Sequence, residues 1–213
     1  MPVWTPKKNW DGRDVFVIGG GTSLKTFDWD LLKSERTIGC NKAFELGIDI
    51  CKICVFGDCK FYLRYKEELA LFEGVCFTNI PRLHPSPDPW LWSIKRAVSG
   101  FHTDALGWNG NTGAAAINLS LLLGAKNTYL LGFDMALSDA GDSNWYDNEL
   151  DKPNPQSYKK FKEGMSGLAR DLAVKFPEQH VFNVTNQSAL EIFPKLDLNA
   201  FIESRLSHGG QNN

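Results

Sequence analysis

The sequence predicts a single α/β domain built on a mostly parallel sheet with helices on both faces. The first observation is alternation: short buried-strand patterns are followed by helical patterns along most of the chain, an order that produces right-handed crossovers between parallel strands. The second is length, because 213 residues suit one domain with long loops better than two separate cores. The third is a glycine-rich turn directly after the first strand, as in Rossmann-like domains.

Six strand patterns and four helical patterns account for most of the chain. Each strand pattern is a short apolar run that ends in polar or glycine residues, and each helical pattern repeats apolar residues at helical spacing. The predicted strands are 14–18, 37–40, 51–56, 75–78, 129–133 and 181–184, and the predicted helices are 27–35, 61–72, 114–123 and 158–176, with a helical turn through Phe44 and Leu46 and a closing segment at 188–196.

Two long stretches lack any periodicity and are predicted to be loops that act as a lid. They cover residues 81–109 and 136–157 and contain four of the seven tryptophans, and irregular stretches of this length are usually functional. Trp90, Trp92 and Trp108 either stack on a sugar or base or cap the core where the loop folds back. The domain is expected to span residues 1–206, and residues 207–213 are expected to form a disordered tail.

Composition excludes several classes of protein. A formal charge of −2 and a pI near 6.1 provide no general basic field, which disfavours nucleic acid as a partner. The most apolar stretch, 114–123, is too short to span a bilayer, so no membrane segment is expected. Five cysteines, an odd number, and an N-terminus without an apolar core lead us to expect a reduced, cytoplasmic protein.

Small and polar residues follow the strands, where an open parallel sheet binds its ligands. They are Gly19, Gly20, Gly21, Thr22 and Ser23 after the first strand, Asn41 after the second, Asp58 after the third, Asn79 after the fourth, Asp134 after the fifth, and Thr185, Asn186 and Ser188 after the sixth. We therefore predict a ligand site along this edge of the sheet.

The glycine turn predicts a phosphate site that matches neither the dinucleotide-binding fingerprint nor the P-loop. Its glycines let the backbone approach an anion closely, and the N–H groups of Thr22, Ser23 and Leu24 are candidate donors. A dinucleotide fingerprint fails, because Leu24 stands at the third glycine position and Asn41 stands where a ribose-binding acid is expected. A P-loop also fails, because Leu24 and not a glycine stands directly before Lys25, and the sequence contains no GKS or GKT.

The order of four motifs resembles that of a known superfamily. The motifs are VIGGGTSLKTFDWDLL, IGCNKAF, NGNTGAAAINLSLLLGAKNTYLLGFDM and VTNQSALEIFP. Together they resemble the bacterial CMP-sialic-acid-dependent sialyltransferases and their relatives, which include 6-hydroxymethylpterin diphosphokinase-like and flagellin-glycosylation proteins. Within that group the likeness is greatest to short phage-encoded members. The resemblance covers most of the chain outside the two loops.

The resemblance implies roles for the residues that match its motifs. It places the glycine turn and Asn41 on the nucleotide and ribose, the small-residue motif before the apolar helix on the donor, and the segment after the last strand around the cytidine. It matches Asp134 to the acid that ends the GxD strand, and Tyr146 and Tyr158 to two tyrosines that stabilise the leaving phosphate. The small-residue motif is Asn111, Thr112 and Gly113, and the cytidine segment is Thr185, Asn186 and Ser188.

One departure concerns the catalytic base. The sialyltransferases take the acceptor proton with a His in the loop after the GxD strand, whereas residues 135–160 contain no His. Asp147, Glu149 or His102 would have to serve instead, or the donor and reaction differ.

Three functional interpretations follow. The leading one is a metal-independent, cofactor-free glycosyltransferase that binds a CMP- or NDP-sugar and transfers the sugar to an unknown acceptor hydroxyl. The second is a Mg²⁺-dependent diphosphokinase that transfers from ATP to a pterin-like hydroxyl, with Asp58 and Asp134 as metal ligands. The third is a catalytically inactive nucleotide-binding module. Because relatives often self-associate, a homo-oligomer with Trp4 and Trp10 at its interface is also considered.

Overall fold

A seven-stranded parallel sheet forms the centre of the protein, as the sequence predicts. The computed structural model describes residues 3–147, 150 and 153–208. The main sheet has the order β5-β4-β3-β2-β1-β8-β9, and β6 and β7 pair as a separate two-stranded sheet. The strands are β1 Asp14–Ile18, β2 Thr37–Cys40, β3 Ile53–Phe56, β4 Val75–Thr78, β5 Leu91–Ser93, β6 Arg96–Ala97, β7 Leu106–Gly107, β8 Asn127–Leu131 and β9 His180–Asn183.

Helices cover both faces of this sheet, which confirms the predicted α/β class. They are α1 Cys59–Ala70, α2 Thr112–Leu122, α3 Pro155–Met165, α4 Leu168–Lys175 and α5 Leu198–His208. Two apolar clusters, one on each face of the sheet, form the core, and alternate residues of β1 pack in one or the other. Val15 and Val17 pack in the cluster that contains α2, whereas Phe16 and Ile18 pack in the cluster that contains α1. Successive strand residues point to opposite faces, so an unbroken apolar strand must be covered on both sides.

Local capping explains where the helices begin and end. Asn111 accepts a hydrogen bond from the Ala114 N–H at the start of α2, and Gly124 follows its end with a φ of +90°. The predicted helix 158–176 is two helices, because the chain breaks at Ser166 and Gly167 between α3 and α4. The helix predicted over 27–35 is only a 3₁₀ turn, and the predicted turn through Phe44 and Leu46 is a 3₁₀ helix over Asn41–Leu46.

The first predicted loop, 81–109, contains more regular structure than expected. It carries the edge strand β5 and the small β6–β7 pair. In β5 the buried Leu91 and Ser93 alternate with the exposed Trp92. A strand of three residues is too short to show a period of two in the sequence, which is why it was missed.

The C-terminal part of the chain contains one helix that the sequence analysis did not predict. Residues 188–196 contain no helix or named strand, and Asn183 forms an isolated bridge with Lys195. Helix α5 follows and was not predicted; its Phe201 ring lies 4.4 Å from the Tyr129 ring, which anchors it to the sheet. It extends to His208, so the predicted disordered tail begins inside a helix, and 209–213 lie outside the described residues. No helix in the described part of the chain is long and apolar enough to cross a membrane.

Asn118 connects the first loop to the core. It lies in α2, which is almost wholly buried, and its Oδ1 accepts hydrogen bonds from the N–H groups of His102 and Gly107, both at 3.0 Å. Its Nδ2 donates to the His102 carbonyl oxygen at 2.9 Å. A single amide therefore satisfies three backbone groups that would otherwise lack partners.

Replacing Asn118 should destabilise the protein strongly. In Asn118→Leu the side-chain volume is kept, but three backbone groups lose their partners, and each costs roughly 1–3 kcal/mol when buried. We expect the free energy of unfolding, measured by urea titration, to fall by about 3 kcal/mol. The matched control is Asn127→Leu at the half-buried start of β8, where one hydrogen bond to Asp14 is lost and the expected change is below about 1 kcal/mol. Equal losses in the two variants would contradict the assigned role of Asn118.

Candidate functional site

A cleft of about 310 Å³ opens at the carboxyl ends of the central strands. Its volume is at the lower end of the range for small-molecule sites, roughly 300–1,000 Å³. It is formed by the turns after β1, β2, β3 and β8, the start of α2, and the second predicted loop. The predicted site residues that line it are Gly19, Gly20, Gly21, Asn41, Asp58, Asn111, Thr112, Gly113, Asp134, Tyr146 and Tyr158.

The glycine turn is fixed from the inside by Asp134. The carboxylate accepts hydrogen bonds from the Ser23 N–H at 2.9 Å and from the Ser23 hydroxyl at 2.8 Å. A methyl group at Gly21 would overlap this carboxylate, which explains why glycine is needed there. The Leu24 N–H donates to the Gly21 carbonyl oxygen. The Ser23 and Leu24 N–H groups, predicted to bind phosphate, are therefore already used within the protein.

The same turn is fixed from the outside by the second loop. The Gly19 carbonyl oxygen accepts a hydrogen bond from Trp145 Nε1 at 3.0 Å, and the Gly20 carbonyl oxygen accepts from the Trp145 N–H at 3.0 Å. Asn144 Nδ2 donates to the same Gly20 oxygen at 3.3 Å. The Gly20 N–H has no acceptor among the residues that the structure describes, so this donor is available to a ligand in the cleft.

Asn41 lies across the cleft in an unusual backbone conformation. Its φ is +54°, a left-handed value that Asn tolerates better than other non-glycine residues. Thr112 Oγ1 donates to Asn41 Oδ1 at 3.4 Å, so the end of β2 and the start of α2 are joined at this point. A strained backbone held in place by its neighbours is typical of functional sites.

Tyr146 and Tyr158 both enter the cleft and both stay protonated at neutral pH. Burial raises the pKa of Tyr146, and burial together with the negative charge of Asp134 raises the pKa of Tyr158 to about 12. The Tyr158 hydroxyl donates to the Ser143 carbonyl oxygen at 3.1 Å. A methyl group at Gly20 would lie 3.3 Å from the Tyr146 hydroxyl oxygen, so that hydroxyl lies beside the glycine turn.

One wall of the cleft combines Asp58 with Trp108. Asp58 caps α1, with its Oδ1 accepting from the Lys60 N–H at 2.7 Å. Arg96 donates to the carbonyl oxygens of Asn79 and Gly57, and its guanidinium lies 4.2 Å from the centre of a Trp108 ring. Burial lowers the pKa of Arg96. Trp108 therefore lines the cleft, whereas the half-buried Trp90 packs against the core and Trp92 is 38% exposed on β5.

Lys42 is a cleft residue that the sequence analysis did not identify. Its side chain is only 10% exposed, and its Nζ lies 3.1 Å from Glu45 Oε1. A buried charge usually marks a structural or functional requirement. The available signal was its position directly after Asn41 at the end of β2.

Several predicted residues line a second cavity and not the cleft. This cavity has a volume of about 420 Å³, and its lining includes Thr22, Ser23, Thr185 and Asn186, together with Asp134, which also borders the cleft. The Thr185 hydroxyl accepts from the Phe133 N–H at 3.0 Å and lies 3.3 Å from the Leu130 carbonyl oxygen, and the buried Ser188 hydroxyl donates to the Phe133 carbonyl oxygen.

These hydroxyls therefore fasten β9 to the end of β8. Because β8 separates β9 from β1 in the sheet, the structure does not bring Thr185, Asn186 and Ser188 to the cleft.

Two of the predicted base candidates, His102 and Asp147, fall outside the cleft lining. His102 Nε2 lies 2.8 Å from the Ser99 carbonyl oxygen, and its backbone is bound to Asn118 in α2. Asp147 is exposed, and its backbone carbonyl oxygen accepts a hydrogen bond from Lys42 Nζ at 3.2 Å. Glu149 lies outside the described residues.

The two carboxylates predicted as metal ligands differ in how far they are already used within the protein. Asp58 and Asp134 both border the cleft, but both Asp134 oxygens accept hydrogen bonds from Ser23 and one Asp58 oxygen caps α1. Across the described residues, no group of three or more His, Cys, Asp or Glu side chains is placed to hold a metal. Asp58 therefore keeps one carboxylate oxygen without a donor among the described residues, whereas both oxygens of Asp134 are already used.

Comparison with solved structures finds the same fold in glycosyltransferases. The chain is similar to the MAf glycosyltransferase of Magnetospirillum magneticum AMB-1, with 16% identity and a TM-score of 0.59 over 93% of this chain and 38% of that chain. It is also similar to the sialyltransferase CstII of Campylobacter jejuni, solved with cytidine-5′-monophosphate, with 16% identity and a TM-score of 0.55 over 87% of this chain and 85% of that chain.

A third likeness is to the α-2,3-sialyltransferase Cst-I of Campylobacter jejuni, with 15% identity and a TM-score of 0.55 over 94% of this chain and 95% of that chain. The chain spans about two fifths of the length of the MAf protein. No protein-family model matches the chain, and no curated protein matches it by sequence. The comparisons establish a sialyltransferase-like α/β fold.

The contact between Gly21 and Asp134 predicts a specific sensitivity to substitution. Gly21→Ala forces the Asp134 carboxylate away from Ser23, and overpacking of this kind costs about 1–3 kcal/mol. Urea titration should show that loss in the free energy of unfolding.

Gly167→Ala is the matched control for this substitution. Gly167 has a φ of −88° and open space around its Cα, so alanine should be neutral or stabilising by up to about 1 kcal/mol. Wild-type stability in Gly21→Ala would show that the carboxylate does not pack against the turn.

The raised pKa of Tyr158 predicts the alkaline behaviour of the protein. An unfolded tyrosine loses its proton near pH 10, whereas folded Tyr158 holds it to about pH 12, so the unfolded state is favoured as the pH rises between these values. The free energy of unfolding should therefore fall more steeply from pH 10 to pH 12 in wild type than in Tyr158→Phe. Parallel slopes from urea titrations across this range would contradict the assignment.

Proposed function

We propose that the protein is a glycosyltransferase that binds a nucleotide-activated sugar, with a CMP-sugar as the first candidate, and transfers the sugar to an acceptor hydroxyl. The observation that carries the proposal is the composition of the cleft. An available N–H of the glycine turn, the strained Asn41 and the hydroxyls of two protonated tyrosines meet at the ligand-binding edge of a parallel sheet. The likeness in fold to sialyltransferases supports the same function.

Binding of the donor would use the centre of the cleft. The Gly20 N–H would donate to a phosphate oxygen, and Asn41 with Asn111–Gly113 would hold the nucleoside. Asn111 and Thr112 are already oriented by hydrogen bonds at the start of α2, so little ordering is needed on binding.

The two tyrosines would assist departure of the phosphate. As the bond between the anomeric carbon and the phosphate oxygen breaks, negative charge grows on that oxygen and CMP leaves. The Tyr146 hydroxyl, which lies beside Gly20, would donate a hydrogen bond to the phosphate. The Tyr158 hydroxyl would do so by exchanging its hydrogen bond to the Ser143 carbonyl oxygen for one to the phosphate. No step of this scheme requires a metal ion.

We assign the proton acceptor to Asp58. The acceptor hydroxyl oxygen bonds to the anomeric carbon and its proton passes to a base, for which a carboxylate in the cleft is suitable. Asp58 lines the cleft and is exposed, whereas Asp134 is engaged by Ser23. Only one Asp58 oxygen is used, to cap α1; the other has no donor among the described residues.

Release of CMP from CMP-N-acetylneuraminic acid tests this function. With lactose as the acceptor and EDTA present, wild type should release CMP at a steady rate, and Asp58→Asn should be slower by at least about 100-fold, since a general base contributes about 10²–10⁴-fold. Asn caps helices as well as Asp does, so the melting temperature should not change.

The same assay with UDP- and GDP-sugars covers the other donors. Absence of turnover with every donor at millimolar concentration would refute the transferase function. Full activity in Asp58→Asn would refute only the assignment of the base.

A further inference from the structure

Lys42 places a positive charge in the wall of the cleft. Its ammonium lies 3.1 Å from Glu45 Oε1 and donates to the Asp147 carbonyl oxygen at 3.2 Å. It also lies 5.5 Å from the centre of the Tyr65 ring and 5.7 Å from the centre of the Tyr146 ring. The side chain is only 10% exposed, whereas Glu45 is 43% exposed.

This environment only partly compensates the buried charge. A lysine ammonium carries three N–H donors, and among the described residues only two acceptors contact it. Glu45 is largely solvated, which weakens its attraction for a cation. Two aromatic rings favour a cation near them but accept no conventional hydrogen bond. An anion in the cleft would complete the coordination of this ammonium.

The location of Lys42 relative to the glycine turn identifies the anion. In the parallel pairing of β1 with β2, Ile18 is opposite Gly39, so the turns that follow these two strands start at the same level of the sheet, and Gly20 and Lys42 both line the cleft there. Tyr146 joins the two sides, with its ring near the Lys42 ammonium and its hydroxyl beside Gly20. The Gly20 N–H, the Tyr146 hydroxyl and the Lys42 ammonium therefore border the same part of the cleft.

We propose that Lys42 binds the phosphate of the nucleotide donor. The inference rests on the proposed function, since it requires a nucleotide in the cleft. It gives the leaving phosphate a cation supplied by the protein, in the role that a divalent metal ion has in many transferases. Lys42 would thus distinguish a nucleotide from the corresponding nucleoside, and binding would need no metal ion.

Isothermal titration with CMP and cytidine in EDTA tests this inference. Wild type should bind CMP at least 10-fold more tightly than cytidine. Lys42→Met should bind CMP at least 10-fold more weakly than wild type but cytidine within 2-fold, because only CMP carries the phosphate. Lys42→Arg, which keeps the charge, should recover most of the affinity for CMP.

Lys25→Met is the matched control. Lys25 forms an ion pair with Asp142 of the second predicted loop but does not line the cleft, so its loss should leave both affinities unchanged. If Lys42→Met does not fold, the same comparison is made with Lys42→Gln, which keeps a donor for the Asp147 carbonyl oxygen but has no charge.

The outcomes separate this inference from the proposed function. Wild-type affinity for CMP in Lys42→Met, or an equal loss for CMP and cytidine, overturns the role of Lys42 alone. If wild type binds neither CMP nor UDP nor GDP at millimolar concentration, the role of Lys42 and the nucleotide-binding function both fail.

Discussion

The arrangement of the cleft depends on one interaction, the hydrogen bonding of the Asp134 carboxylate to Ser23 across the glycine turn. The carboxylate follows β8 and the turn follows β1, so the interaction fixes two neighbouring strand ends relative to each other. It also needs a glycine at position 21, where any side chain would overlap the carboxylate. The donors that remain for a ligand, above all the Gly20 N–H, are oriented by this contact. The acid that the sequence suggested as a ligand or metal residue is therefore a structural residue of the turn.

The second loop completes the site from the opposite side. Trp145 binds the carbonyl oxygens of Gly19 and Gly20, which places the adjacent Tyr146 in the cleft. The described part of this loop is therefore fastened to the glycine turn. Catalysis would use hydroxyl groups and a lysine ammonium where other transferases use a metal ion, and such preorganised donors act at low reorganisation cost.

The sequence predicted the parallel sheet and most of the cleft, because the carboxyl ends of parallel strands converge and their polar residues can be read directly. Gly20, Asn41 and Asp58 were located in this way. Lys42 was missed because the short 3₁₀ helix that contains it has no sequence periodicity from which burial could be predicted. The rings near its ammonium, Tyr65 and Tyr146, come from distant parts of the chain.

Thr185 was assigned to the ligand because it follows a strand. Its hydroxyl instead bonds to the Leu130 carbonyl oxygen in β8 and to the Phe133 N–H just after β8. Side-chain direction at a strand end is set by tertiary contacts and cannot be inferred from position alone.

The most direct test of the account is a crystal structure of the protein soaked with CMP. The phosphate should lie within hydrogen-bond distance of the Gly20 N–H and the Lys42 ammonium; CMP in the cavity beside Thr185, or no bound CMP at saturating concentration, would contradict it.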